Sequence, residues 1–573
     1  MNSACDRKSR RTSRRDFIGQ GVKIVMSVAL LPQLQAYPDS AMQEYVTVET
    51  AYGRIRGLKH EGLSIFRGVP YAGPVSGRNR FKAAPALQPW TGIRDALNYG
   101  APSIQPSRPS FGSREPLPQE DCLFLNIWTP AADGRRRPVM FYSHGGGFTV
   151  GSAAAQYQDG GNLAHDHDVV VVATNHRLGL LGYLFLADLG GEEYASSGNQ
   201  GLLDLRDGLR WVYQNIEAFG GDPNNVMIFG ESGGGVKTSC LYALPSAAPY
   251  FNKASIESGP GVRIAPRETA SETTLLVLKN LGIERENWRK LLTVPADRLL
   301  AAQLEMGRHP GGPLTMSGGR KGMSGSSMPG GFGPVLDGAI LPHHPFDPVA
   351  PGISKSKPLI VGSNRDETNF FFMENRNVEV FDLSEASLKE RLRKEFGEPA
   401  GEIYDVYHRS RPQASPTDLY TAITTARMIG TGAITIAERK YAQHGAPVYM
   451  YIFTHESDFI VPGTRHILGA AHALEIPYKF DNIRPAKAAD NGPEPSIVRS
   501  MMAASDPDSV SAARNMSEMW STFARTGHPA AKGQPNWPAY DTSKRATMEI
   551  NATCAVVDDP FRLERELWDR LDP

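Results

Sequence analysis

The apolar run Val226-Met227-Ile228-Phe229 breaks directly into Gly230-Glu231-Ser232-Gly233-Gly234, and a segment able to start a helix comes next. Strand, sharp turn and helix within so few residues leave little choice of local structure. The glycines let the chain reverse tightly with a strained backbone at Ser232, and they keep side chains clear of its hydroxyl. The helix behind aims its free N–H groups and positive dipole end at the same point. This is the setting of a nucleophile elbow, with serine at the apex.

The rest of the chain repeats the alternation of strand and helix. Pro138–Tyr142 and Asp168–Thr174, unbroken from Val169 to Val172, are short apolar runs suited to central parallel strands buried on both faces. Between Gly201 and Gly221, Leu202, Leu205, Leu209, Val212 and Ile216 recur at steps of three and four, which predicts a helix with one apolar stripe. Gly220-Gly221-Asp222-Pro223 stops it. Pro358–Val361 and Val448–Phe453 are further strand candidates, and residues 45–130 read as short strands and loops. A late helix near Ser511–Arg525 carries Ala512, Met516, Met519 and Phe523 on one face and ends at Gly527 and Pro529. The pattern predicts an α/β fold with a central, mostly parallel sheet flanked by helices. Residues 311–333, rich in Gly, Ser and Met, read as a surface loop and a candidate lid.

Lys+Arg and Asp+Glu balance at 61 each, so nothing suggests a nucleic-acid or membrane-surface field. The one dense basic cluster lies at residues 7–15 and runs into Asp16-Phe17-Ile18 and a short apolar stretch, Gly21 to Leu31. Ser13-Arg14-Arg15-Asp16-Phe17-Ile18 looks like a twin-arginine export motif, and residues 1–36 read as its signal peptide, with cleavage after Ala36 or Ala41. The apolar stretch is short for a membrane span, so no stable membrane anchor is expected. A nucleic-acid arm or an uncleaved anchor are the alternatives. The export reading implies a periplasmic or secreted bacterial protein that meets the twin-arginine machinery in transit. Cys5 leaves with the signal; Cys122, Cys240 and Cys554 allow at most one bridge, and no spacing suggests a metal. No cofactor is expected.

A serine hydroxyl needs a base, an acid to orient the base and donors for an oxyanion. His144-Gly145-Gly146-Gly147-Phe148 follows one strand and offers bare N–H groups. Asn364-Arg365-Asp366-Glu367 follows another, so either Asp366 or Glu367 can be the acid. His472 and His466 are the candidate bases, and His144 reads as a brace of its loop. The order serine, acid, histidine is that of α/β-hydrolases.

Together these segments resemble the type-B carboxylesterase family, which includes bacterial para-nitrobenzyl esterases and the cholinesterases. Phe66-Arg67-Gly68-Val69-Pro70-Tyr71, Glu120-Asp121-Cys122-Leu123-Phe124-Leu125-Asn126, Gly198-Asn199-Gln200-Gly201, Phe219-Gly220-Gly221-Asp222-Pro223 and Trp537-Pro538-Ala539-Tyr540 carry the likeness, which runs from about Thr47 to Trp568. It implies a single large α/β-hydrolase domain over residues 45–573 that cleaves small-molecule carboxylic esters. Position by position, it implies Ser232 as nucleophile, His472 as base and Glu367 as acid. Gly146, Gly147 and Gly233 would be the oxyanion donors. Glu231 matches a buried carboxylate beside the nucleophile, and Ser258 a serine near the base, although Ser258 also reads as a core hydroxyl. Phe148 and Phe371 are candidate pocket walls, with Phe370 and Phe372 as alternatives or as core.

Departures from the family pattern matter. Gly233 stands where Ala is usual, and Thr368 where Gly usually follows the acid. Ser103 stands where relatives have the cysteine that pairs with the counterpart of Cys122, so no disulfide is expected. Between Ser103 and Cys122 the only aromatic is Phe111, so the Trp that holds a cation in cholinesterases is missing. A non-catalytic adhesion protein of the same fold is the reading from another class, but such members typically lack the serine. A peptidase or amidase on the same fold is a further alternative; prolyl-peptidase relatives would carry an extra propeller domain, and no internal repeat is visible.

Overall fold

The computed structural model describes residues 43–106, 116–306, 331–485, 503–504 and 506–571. The signal-peptide residues, Phe111 and most of the candidate lid lie outside these. A compact unit runs from Glu44 to Pro573.

Its frame is a 13-stranded sheet. The strands are β1 (Glu44–Thr50), β2 (Gly53–His60), β3 (Leu63–Pro70), β4 (Ile93–Asp95), β5 (Phe124–Thr129), β6 (Arg137–Ser143), β7 (Val170–Thr174), β8 (Gly221–Glu231), β9 (Lys253–Glu257), β10 (Leu359–Asn364), β11 (Val448–Phe453), β12 (Ala546–Ile550) and β13 (Ala555–Asp558). The order is β1-β2-β3-β5-β7-β6-β8-β9-β10-β11-β12-β13, with β4 beside β2. From β7 through β12 each neighbouring pair is parallel, while β1-β2-β3-β5-β7 and β12-β13 are antiparallel. The expected mostly parallel centre is therefore present, with an antiparallel flank built from the N-terminal strands.

Alternation along the strands explains the layering. Val139, Phe141, Val170, Val172 and Ile228 enter one core, which also holds Leu202, Leu205, Leu209, Val212 and Ile216 of the helix Gln200–Asn215 and its continuation. Their strand neighbours Met140, Tyr142, Val171, Met227 and Phe229 enter a second core with Ala512, Met516, Met519 and Phe523 of the helix Pro507–Thr526. Both faces of the sheet are thus covered, as an unbroken apolar strand requires. The late helix starts earlier than its apolar stripe suggests, because Asp506 caps it by accepting from the Ser509 N–H at 2.7 Å and Pro507 fits its first turn. Gly527 ends it at φ 79°.

Parallel strands all point one way, so β6, β8, β9 and β10 deliver the residues after their C-terminal ends to one edge of the sheet. These residues are the His144 loop, Ser232, Ser258 and the Asp366-Glu367 turn. Among the described residues no helix is long and apolar enough to cross a membrane, and no group of three or more His, Cys, Asp or Glu side chains could hold a metal ion.

Candidate active site

Ser232 sits between β8 and the helix Gly233–Ala243 with φ 58° and ψ −123°, a conformation rare for a residue with a side chain. Main-chain bonding holds it there: its N–H donates to the Glu257 carbonyl at 2.9 Å, and its own carbonyl accepts from Val236 at 3.1 Å. The turn leaves Oγ facing the loops of the same edge.

His472 Nε2 lies 2.8 Å from Ser232 Oγ, and His472 Nδ1 lies 2.6 Å from Glu367 Oε2. A carboxylate oxygen can only accept here, so Nδ1 carries the hydrogen and Nε2 is left free to accept from the serine. Glu367 is itself fixed, because its Oε1 accepts the Asn364 N–H at 2.7 Å. Asn364 ties the turn further by donating to the Ala471 carbonyl and to Glu475 Oε2 at 2.7 and 2.6 Å.

The two open choices of the sequence separate clearly. Asp366 turns away from His472: it accepts from the Ala470 N–H at 3.0 Å and pairs with Arg365 at 2.8 Å. His466 pairs with Asp418 at 3.5 Å and packs on Phe381.

Glu231 brings a second carboxylate to the base, with Oε1 at 3.3 Å from His472 Nε2. Burial pushes the Glu231 carboxyl well above the usual carboxylate range, against the pull of His472. For His472, burial disfavours the imidazolium, but the charges of Glu231 and Glu367 and the Glu367 hydrogen bond outweigh it and raise the group above its ordinary 6.5.

Gly146 and Gly147, at φ 82° and 60°, form the loop facing the first turn of the elbow helix. Gly233 approaches it so closely that a Cβ there would meet Gly147 O at 2.1 Å. Ser258 follows β9 at φ 48°, buried, with its N–H on the Gly362 carbonyl at 2.9 Å. Phe371 and Phe370 lie beside the base, with ring centroids 4.7 and 5.9 Å from the imidazole. Phe372 instead stacks on Tyr420 in the core. Phe148 is buried edge-on to Tyr183, with the Lys237 ammonium over its ring.

Three free, buried cysteines remain among the described residues. Burial pushes the Cys122 thiol up to about 12, against a smaller pull from the Ser103 hydroxyl nearby. The sequence motifs assign no role to Lys237, His176 or Glu475. A signal for Lys237 exists all the same: it is the only charged residue in the elbow helix.

A serine, histidine and carboxylate in hydrogen-bonded line at the carboxyl edge of a mostly parallel sheet define an α/β-hydrolase. The sequence model of the carboxylesterase family matches residues 44–568, and the chain belongs to that family. It is 33% identical to the para-nitrobenzyl esterase of Bacillus subtilis, over 91% of this chain and 97% of that one. It is 32% identical to the phenmedipham hydrolase of Pseudarthrobacter oxydans, over 89% and 95%. Among solved structures it superposes on the Geobacillus stearothermophilus carboxylesterase EST55 with a TM-score of 0.76, at 36% identity over 91% of this chain and 99% of that one. It is a carboxylic-ester hydrolase.

Proposed function

We propose that this enzyme cleaves neutral carboxylic esters through an acyl-serine intermediate, within one catalytic domain spanning residues 45–573, and that it acts after twin-arginine export to the periplasm or the medium. The observation that carries the reading is the pair of short contacts of His472, 2.8 Å to Ser232 Oγ and 2.6 Å to Glu367 Oε2. Ser232 Oγ attacks the ester carbonyl while His472 Nε2 takes its proton. Glu367 keeps the imidazole in the accepting tautomer and stabilises the imidazolium. The N–H groups of Gly146, Gly147 and Gly233 receive the oxyanion. His472 returns the proton to the leaving alcohol, and water repeats the sequence on the acyl-enzyme.

Phe370 and Phe371 beside the base favour an uncharged acyl or alcohol group, since apolar walls stabilise by about 25 cal/mol per Å² buried and offer no partner to a desolvated charge. The test has two arms. An organophosphonate should label Ser232 alone, and Ser232→Ala should lose roughly 10⁴-fold or more of kcat. Comparing p-nitrophenyl butyrate, butyrylthiocholine and the matching anilide should rank the neutral ester first by kcat/KM. Activity retained in Ser232→Ala sinks the nucleophile assignment, and a preference for the choline ester sinks the substrate class. Replacing Arg14 and Arg15 by Lys should trap the protein in the cytoplasm; normal export of that variant refutes the route.

A further inference from the structure

Lys237 lies one turn into the elbow helix and is fully buried. Its Nζ donates to the His144 carbonyl at 3.0 Å and lies 5.6 Å from the centroid of the Phe148 ring. His144 and Phe148 flank Gly145-Gly146-Gly147, so one ammonium holds both ends of the glycine loop. Among the described residues no carboxylate pairs with it, and burial alone pushes the amine down to about 7. Its titratable neighbours are the imidazoles of His144 and His176, stacked with centroids 4.5 Å apart. Burial first, and then the charge of Lys237, hold His144 down to about 3 and His176 well below its usual range, so neither cancels the cation. His144 Nδ1 lies 2.9 Å from the Gly145 carbonyl and donates to it. That bond polarises the peptide whose N–H belongs to Gly146, one of the three oxyanion donors.

We propose that Lys237 is a positioning residue for the oxyanion hole, a buried amine that fixes the Gly145–Gly147 loop from both ends and whose protonated form takes the oxyanion of the tetrahedral intermediate as its counter-charge. The inference rests on the acyl-serine reading of the site. An unpaired buried charge is costly, and proteins keep such costs where function uses them. The ester carbonyl is neutral in the bound substrate and becomes an alkoxide in the transition state. A fixed cation behind the donors therefore favours the second over the first, and acts on kcat more than on KM.

The test uses Lys237→Met, which keeps the length and apolar stem but removes charge and donor, and Lys237→Gln, which keeps a donor without charge. The readouts are kcat and KM for p-nitrophenyl butyrate, the inhibition constant of a trifluoromethyl ketone that forms an anionic hemiketal on the serine, and Tm. For Lys237→Met the expected kcat is about 10- to 100-fold lower with KM within about threefold, and ketone binding weakens by the same factor. Lys237→Gln falls between, and both variants melt at or above the wild-type Tm because the buried charge is gone. Wild-type kcat and ketone affinity in Lys237→Met overturn the proposal. Loss of kcat with a lower Tm in both variants also overturns it, in favour of a purely structural lysine. A ketone that fails to inhibit the wild-type enzyme overturns the acyl-serine reading itself, and this inference with it.

Discussion

Gly233→Ala looks like the mildest change available in this site, since it adds one methyl group and keeps the N–H. The structure gives it a large effect. The added Cβ would stand 2.1 Å from Gly147 O and 2.5 Å from Gly147 Cα, where contacts under 3.0 Å essentially never occur. Both obstacles are backbone, so no side chain can swing aside. Either Gly147 or the helix start must shift by about 1 Å, and both carry the proposed oxyanion donors. A displacement of that size in a catalytic group costs on the order of 10²-fold in rate, or about 2.7 kcal/mol of transition-state stabilisation. Gly233→Ala is therefore expected to keep its fold and lower kcat about 100-fold for p-nitrophenyl butyrate, with KM little changed. The assay is steady-state kinetics beside a thermal melt. A variant within threefold of wild-type kcat would refute the argument, because it would show that the loop and the elbow separate at almost no cost.

The remaining predictions concern the acid, the base and the missing bridge. Glu367→Gln should lose most of kcat while Asp366→Asn keeps most of it, because only the first faces His472; the opposite ranking in initial rates reverses the assignment. A raised His472 stays protonated to higher pH, so kcat/KM should fall on acidification with an apparent pKa above the ordinary 6.5, not at the value of about 6–7 that histidine alone suggests. Glu231→Gln removes an interaction that favours the imidazolium, so this limb should move down, and an upward move in the pH profile contradicts the argument. Ser103→Cys should oxidise with Cys122, whose thiol lies near the serine, and closing a loop of about twenty residues should stabilise by about 3 kcal/mol; two persisting thiols in non-reducing mass spectrometry count against it.

Much of the site is legible in the sequence because its chemistry is written in contiguous residues. The elbow, the glycine run after β6 and the turn after β10 each need a strand end and a fixed local sequence, so their short motifs carry position and suggest a role. The helix stripes are equally local, and Leu202 to Ile216 and Ala512 to Phe523 enter the cores expected of them. What stays hidden depends on contacts between distant segments. Asp366 and Glu367 are neighbours in sequence, and only the placement of Ala470 and His472 after the hairpin Ser457–Gly469 shows which carboxyl goes where. In the sequence Gly233 reads only as a departure from the usual Ala; its tightness is visible only with Gly147 beside it. Lys237 escapes a sequence reading because a helix residue's depth depends on what covers it, here the glycine loop itself. The lid reading of 311–333 falls almost wholly outside the described residues.

The two halves of the catalytic group are held in different ways, and this decides how each responds to change. Ser232 and the proposed oxyanion donors are fixed by backbone against backbone. The Ser232 N–H bonds the Glu257 carbonyl at the end of β9, and the Ser258 N–H bonds the Gly362 carbonyl in β10. A Cβ on Gly259 would meet Ser232 O at 1.9 Å. Three strand ends thus interlock with no side chain between them, and the strained φ of Ser232 is held by the sheet rather than by its neighbours in sequence. His472 arrives separately, on the segment after the hairpin, and is located by side-chain bonds to Glu367 and by the rings of Phe370 and Phe371. On the proposed mechanism, damage to the first half moves the atoms that meet the transition state and should appear in kcat. Changes around the second half alter the basicity of His472 or the apolar wall beside it, and appear in the pH profile and in KM.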